Sequence, residues 1–168
     1  MDWGDGDHFI SAWFWSNNVG GGQFIFKRGG SSRESELWIA ADLKYVAFYM
    51  ANSQYNSGSG AYTNQTWNHV VAGRQAGNVL MYINGTQRDL TSAVSNSTAS
   101  VNTNQAAQIG ISCNSATRLA LVSTGSAFPT ADAIRKMYQE NRKLFSDNAK
   151  CTLYGGDKAI PLYGADYD

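Results

Sequence analysis

The chain has 168 residues, enough for a single domain that builds its own core without metal or disulfide staples. Thirteen basic and thirteen acidic side chains cancel, so no global field draws in nucleic acid or an anionic membrane. Glycine is frequent, proline is scarce, aromatics reach 12% and charged residues only 15%, which suits a turn-rich β protein and argues against disorder.

The start, Met1-Asp2-Trp3-Gly4-Asp5-Gly6-Asp7, has neither the basic nor the apolar region of a signal peptide. No later run is long and apolar enough to span a bilayer, so no membrane insertion is expected. Residues 9–15 alternate as a strand, with Phe9, Ser11, Trp13 and Trp15 on one face and Ile10, Ala12 and Phe14 on the other. Further strands are predicted over residues 23–28, 36–42 and 44–51, separated by glycine- and serine-rich breaks. The Ser/Gly/Asn/Tyr/Gln stretch at residues 52–64 reads as a loop on the rim that carries Tyr55 and Tyr62 into solvent.

Residues 67–72 and 79–83 form the clearest pair of strands, and Asn84-Gly85 supplies the two positive-φ positions of a type I′ hairpin turn. A polar stretch at residues 91–104 leads to strands at 107–111 and 118–122. The period then changes from two to three and four. Pro129-Thr130 leads into Ile134, Met137, Tyr138, Leu144 and Phe145, one amphipathic helix with Thr130 as N-cap and Asp132 in its first turn. Its apolar stripe must be covered by a sheet edge or a partner chain. The tail from Lys150 to Asp168 offers at most a strand at residues 151–154. Cys113 and Cys151 are compatible with a disulfide and equally with two buried thiols.

Four motifs in order, Gly4-Asp5-Gly6-Asp7-His8-Phe9-Ile10-Ser11-Ala12-Trp13-Phe14, Phe24-Ile25-Phe26-Lys27-Arg28-Gly29-Gly30, Trp67-Asn68-His69-Val70-Val71 and Leu80-Met81-Tyr82-Ile83-Asn84-Gly85, resemble those of the laminin-G and concanavalin-A-like lectin superfamily. The resemblance implies an all-β fold, an antiparallel jelly-roll β-sandwich over residues 1–125, with residues 126–168 forming a helix and tail that pack on the sandwich or on a partner. Pro129 to Glu140 and Asn148 to Gly155 resemble segments that follow such domains in bacteriophage tail and other virion proteins. The resemblance therefore implies a non-enzymatic, lectin-like module of a virion, tail fibre or tail-associated protein, acting outside the cell on a host-surface glycan or protein. Other virion subunits are then expected partners. The superfamily opens with a strand that is not seen ahead of the first motif, so the tail, a neighbouring subunit or a longer chain would supply it. An open sheet edge favours a homo-oligomer, and a fibre would make it a trimer.

The alternative is a structural or assembly domain with no sugar site, and the weaker one a glycan-cleaving enzyme. Enzymes of this superfamily use closely spaced carboxylates on one strand; here only Glu34 and Glu36 would share a face, in what reads as a solvated turn. His69 is expected to be structural. Calcium is the cofactor the resemblance implies, and Asp2, Asp5 and Asp7 are the one dense acidic cluster near the start, either half of an oxygen cage or a turn that folds back; Asp5 and Asp7 are the candidate metal ligands. A glycan site needs aromatic faces beside amides and hydroxyls, which the loop offers as Asn52, Gln54, Tyr55, Asn56, Tyr62 and Asn64. Trp13 and Trp67 are expected to fill the sandwich interior.

Overall fold

The computed structural model describes residues 3–17, 22–29, 34–40, 42–91, 100–101, 105–111, 113 and 117–146. In β1 (His8–Ser16), Ile10, Ala12 and Phe14 lie on one face and are fully buried, as the alternation predicts. β2 (Gly22–Arg28), β3 (Ser35–Ala40), β4 (Tyr45–Met50) and β5 (Ser53–Asn56) build one sheet, and β6 (Trp67–Gln75), β7 (Asn78–Ile83) and β8 (Thr86–Gln87) extend the sheet of β1. The short β9 (Gln108–Ile109) pairs with β2, and β10 (Thr117–Gly125) pairs with β1. The sheets run β10-β1-β6-β7-β8 and β5-β4-β3-β2-β9, with every pairing antiparallel. They face each other as a jelly-roll sandwich.

Between the sheets, Ile10, Phe14, Val70, Ala72, Met81 and Ile83 meet Ile25, Leu37, Ile39, Val46, Phe48 and Met50 in one apolar core. Trp3 closes one end of it, stacked on His8 with ring centres 4.6 Å apart. β1 has β6 on one side and β10 on the other, so the strand expected from the tail or a neighbour is not needed to cover it.

Two-residue turns with both central φ angles positive set the hairpin registers. Asn84-Gly85 (φ 53° and 78°) joins β7 to β8 as expected, and Ala76-Gly77 (φ 48° and 77°) joins β6 to β7. A third, Ala51-Asn52 (φ 48° and 67°), overturns the loop reading over residues 53–56, while residues 57–64 remain without strand or helix. It folds the chain straight back as β5, pairing Tyr55 with Phe48. Because paired residues point to the same side of a sheet, Tyr55 follows Phe48 into the core and is 1% exposed. Tyr62 is buried as well, edge-on to Phe14, and its hydroxyl donates to the Ala40 carbonyl at 3.2 Å. Burial pushes that hydroxyl's pKa up to about 12.

The helix α1 (Ala131–Asn141) starts as its sequence dictates, with the Ala133 amide donating to Thr130 Oγ1 at 3.2 Å. It then tightens into a 3₁₀ turn at Arg142–Phe145, which carries Leu144 and Phe145. Ile134 is fully buried against Val71, Tyr82 and Phe128, with Phe9 and Leu80 alongside. The outer face of the β1–β6–β7 sheet thus covers Ile134 and takes Tyr138 and Phe145 against Trp13, while Leu144 stays exposed.

That packing corrects the placement of Trp13 and Trp67. Once Ile10, Ala12 and Phe14 point inward, Trp13 must point outward, and it is buried instead beneath Tyr138 and Phe145, with ring centres at 5.7 and 4.5 Å. Trp67 packs on Phe145 at 4.5 Å on the same outer face. Glu36 is corrected too. It lies within β3, fully buried, with Lys27 at 3.6 Å on the paired strand. Asp2, Cys151, the strand expected at residues 151–154 and the rest of the tail lie outside the described residues. Cys113 donates its Sγ–H to the Phe24 carbonyl at 3.3 Å.

Candidate functional site

The six residues expected to form a sugar site do not converge. Tyr55 and Tyr62 are core. Asn52 is a left-handed turn residue exposed to solvent, and Asn64 sits half-buried ahead of β6. Gln54 and Asn56 point away from the core beside Tyr49: the Tyr49 hydroxyl donates to Gln54 Oε1 at 2.5 Å, and Gln54 Nε2 donates to Asn56 Oδ1 at 2.7 Å.

The N-terminal acidic turn holds a cation of its own. The fully buried Arg74 donates from Nη2 to the carbonyls of Gly4 and Gly6 at 2.9 and 2.7 Å, and from Nε to Gly6 at 3.0 Å. Asp7 Oδ1 accepts from the Ala76 amide at 2.8 Å, capping the β6–β7 turn. Burial lowers the Arg74 pKa, and the charges of Asp5 and Asp7 oppose that shift. The carbonyls of Gly4 and Gly6 and one oxygen of Asp7 are therefore already engaged, and among the described residues no group of three or more His, Cys, Asp or Glu side chains is placed to hold a metal. The described residues of this turn do not by themselves assemble the expected calcium cage.

The geometry points instead to the outer face of the β1–β6–β7 sheet, next to the helix. Register sets Arg118, Trp15 and Trp67 abreast on β10, β1 and β6, since Trp15 pairs with Arg118 on one side and with Trp67 on the other. Neighbouring strands lie about 4.8 Å apart, so the three side chains form a continuous row. The Arg118 guanidinium lies over the Trp15 ring at 4.8 Å from its centre. Trp15 and Trp67 are only half-buried.

An open groove of about 720 Å³ runs along this row. Arg142 and Phe145 wall it from the 3₁₀ turn, and Gln65 and Thr66 rim it from the turn before β6. That turn is pinned by Asn68, whose Nδ2 donates to the carbonyls of Thr63 and Thr66 at 2.8 and 3.0 Å, and by the Gln65 amide on the Ser16 carbonyl at 2.7 Å. The groove thus combines indole faces with an amide, hydroxyls and guanidinium groups on rigid elements. Among the described residues, no Asp or Glu side chain lines it.

One row deeper, Trp13 pairs with His69 and stacks on it at 5.1 Å. His69 Nε2 and Ser11 Oγ share a 3.0 Å hydrogen bond beside a second cavity of about 360 Å³, bordered by Leu121, Met137 and Leu144. A serine–histidine pair invites a nucleophilic reading, but a reactive pair needs access and a group that orients the base. Both side chains are at most 2% exposed, and among the described residues His69 Nδ1 has no hydrogen-bond partner. Desolvation lowers the His69 pKa to about 4, so the ring is neutral at pH 7 and serves packing.

Comparison with known structures reproduces the fold. The binding domain of Paraclostridial Mosquitocidal Protein 1 superposes with a TM-score of 0.63 at 13% identity, over 83% of this chain and 38% of that one. A botulinum neurotoxin type C structure, whose cell entry is described as dependent upon interaction with two ganglioside molecules, gives 0.56 at 14% identity, over 80% and 36%. Trypanosoma rangeli sialidase gives 0.57 at 13% identity, over 85% and 24%. The chain therefore spans well under half the length of each of these proteins. No curated protein matches the sequence. A family profile does match over residues 3–120, most of the sandwich, and the chain belongs to the laminin-G-type family of the concanavalin A-like lectin/glucanases superfamily.

Proposed function

We propose that this domain is a non-enzymatic, lectin-like module that binds surface glycans through the Trp15–Trp67–Arg118 groove. The observation that carries this reading is the row itself: two half-exposed indoles held abreast by β-sheet register, with hydrogen-bonding groups around them and no carboxylate in the lining. Sugars stack their apolar faces on such rings and present hydroxyls to amides and guanidinium groups. Glycoside cleavage commonly calls for a pair of carboxyl groups flanking the scissile bond, and the described residues of the groove offer none, which supports binding over catalysis. The ganglioside dependence described for the type C neurotoxin makes a glycan partner a natural first ligand class for this fold.

The setting we propose is extracellular, on a phage virion as a tail fibre or tail-associated protein, on the strength of the likeness of residues 129–140 to such proteins. The partner there would be a host-surface glycan, and homo-oligomerisation, a trimer in a fibre, belongs to the same proposal. A purely structural virion role is the second reading. It is favoured by Leu121 and Leu144, which stay 50% and 52% exposed beside the smaller cavity where a neighbouring subunit would cover them.

A glycan array probed with the purified chain tests the first reading, with Trp15→Ala and Trp67→Ala as controls. Binding by the wild type that both variants lose, at unchanged melting temperature, is the expected result. An array with no bound glycan, or binding indifferent to both tryptophans, overturns the groove as a sugar site. An array with no bound glycan, together with light scattering that shows a stable oligomer dissociated by Leu121→Glu and Leu144→Glu, would favour the structural role.

A further inference from the structure

We infer that the glycan held by this groove carries an anionic group, a carboxylate or a sulfate ester, read by Arg118 with Arg142 in support; the inference rests on the glycan-binding reading above. It starts from where positive charge is left over. The chain is neutral overall, and three other cations are matched by a nearby carboxylate: Lys27 by Glu36, Arg135 by Asp132, Lys136 by Glu140. Arg118 and Arg142 both line the groove and are both exposed. Among the described residues neither has a carboxylate partner.

Arg142 has a second use, since it follows the last turn of α1, where a cation complements the helix dipole. Arg118 has no such excuse. It stands on a strand, and among the described residues its partner is the indole of Trp15. Stacking uses the face of a guanidinium and leaves its in-plane N–H donors free for a ligand. A planar or tetrahedral oxyanion accepts such donors in pairs. A sugar lying on Trp67 and carrying an acidic substituent toward β10 would satisfy the ring and the charge together, which a neutral sugar would not.

The test uses matched probes on the full chain: oligosaccharides ending in a uronic or sialic acid, the same molecules with the carboxyl reduced to an alcohol, and sulfated counterparts, with sodium acetate and sodium sulfate as small-anion controls. The expected result is binding of an acidic form about tenfold tighter than its reduced partner, weakening as salt rises. Arg118→Gln should erase that preference while the weak binding of the neutral form persists, and the melting temperature confirms folding. Which acidic series binds distinguishes carboxylate from sulfate. Equal affinity for acidic and reduced forms overturns the anionic inference and leaves the lectin reading standing. Acetate or sulfate competing as well as the sugar overturns it too. Binding to none of the probes, acidic or neutral, removes both.

Discussion

The ring of Tyr138 lies so close over Gly85 that a Cβ there would stand 3.2 Å from its Cδ1. The hairpin turn and the helix, separated in sequence, are thus built against each other. Gly85 also has φ 78°, a conformation in which a Cβ is costly. Gly85→Ala is therefore expected to combine backbone strain with displacement of α1, lowering unfolding free energy by roughly 1–2 kcal/mol. Urea denaturation checks this. A neutral result would mean that the helix does not rest on the turn.

The two aromatic sets should separate cleanly by phenotype. Tyr55→Ala removes a ring from the core and is expected to cost roughly 3–5 kcal/mol, in the range of large aromatic deletions, whatever its effect on ligand. Trp15→Ala removes a half-exposed ring from the groove and should leave most of the stability intact. Were Tyr55 a sugar platform, its loss would change binding and spare the melting temperature.

Acid should destabilise the fold through its two histidines. His8 and His69 are both fully buried, and desolvation lowers each pKa from 6.5 to about 4. Between pH 6.5 and 4 the unfolded chain takes up protons that the folded one refuses, so their contribution is complete above pH 6.5 and is lost as pH falls toward 4. The loss is on the order of 2–3 kcal/mol per histidine at pH 4. His69→Gln should flatten part of that slope in unfolding experiments run across pH 4–7. An unchanged slope would show that the ring is not excluded from protons.

Arg74 in the N-terminal turn makes the chelator experiment decisive. With its guanidinium on the carbonyls of Gly4 and Gly6, addition of EDTA should leave the melting temperature where it was. Arg74→Met should strand those carbonyls and lose roughly 2–4 kcal/mol. A melting temperature that falls on chelation would return calcium to this turn.

Much of the fold is legible locally. The alternation of residues 9–15, the Asn84-Gly85 turn and the Thr130 cap each rest on interactions within a few residues, and each is found where expected. The failure at residues 53–56 has an equally local cause. Ala51-Asn52 makes a type I′ turn with an alanine in the left-handed region, where composition points to glycine, so the strand behind it was hidden in a polar stretch. The alternation of Ser53-Gln54-Tyr55-Asn56 was the signal that could have revealed it.

The groove had no such signal. Alternation sorts the residues of β1 into two faces but is silent on which face meets the other sheet, and Trp13 and Trp67 could satisfy either assignment by size alone. The sequence by itself determined the strands, the tight turns and the amphipathic helix, because those depend on backbone preference and on the spacing of neighbours. Only the tertiary structure decided which face lies inside, where the helix docks, and that Trp15, Trp67 and Arg118 stand side by side. Strand register between segments 50 or more residues apart is set by the packing of the whole core, and no local stretch of the chain contains it.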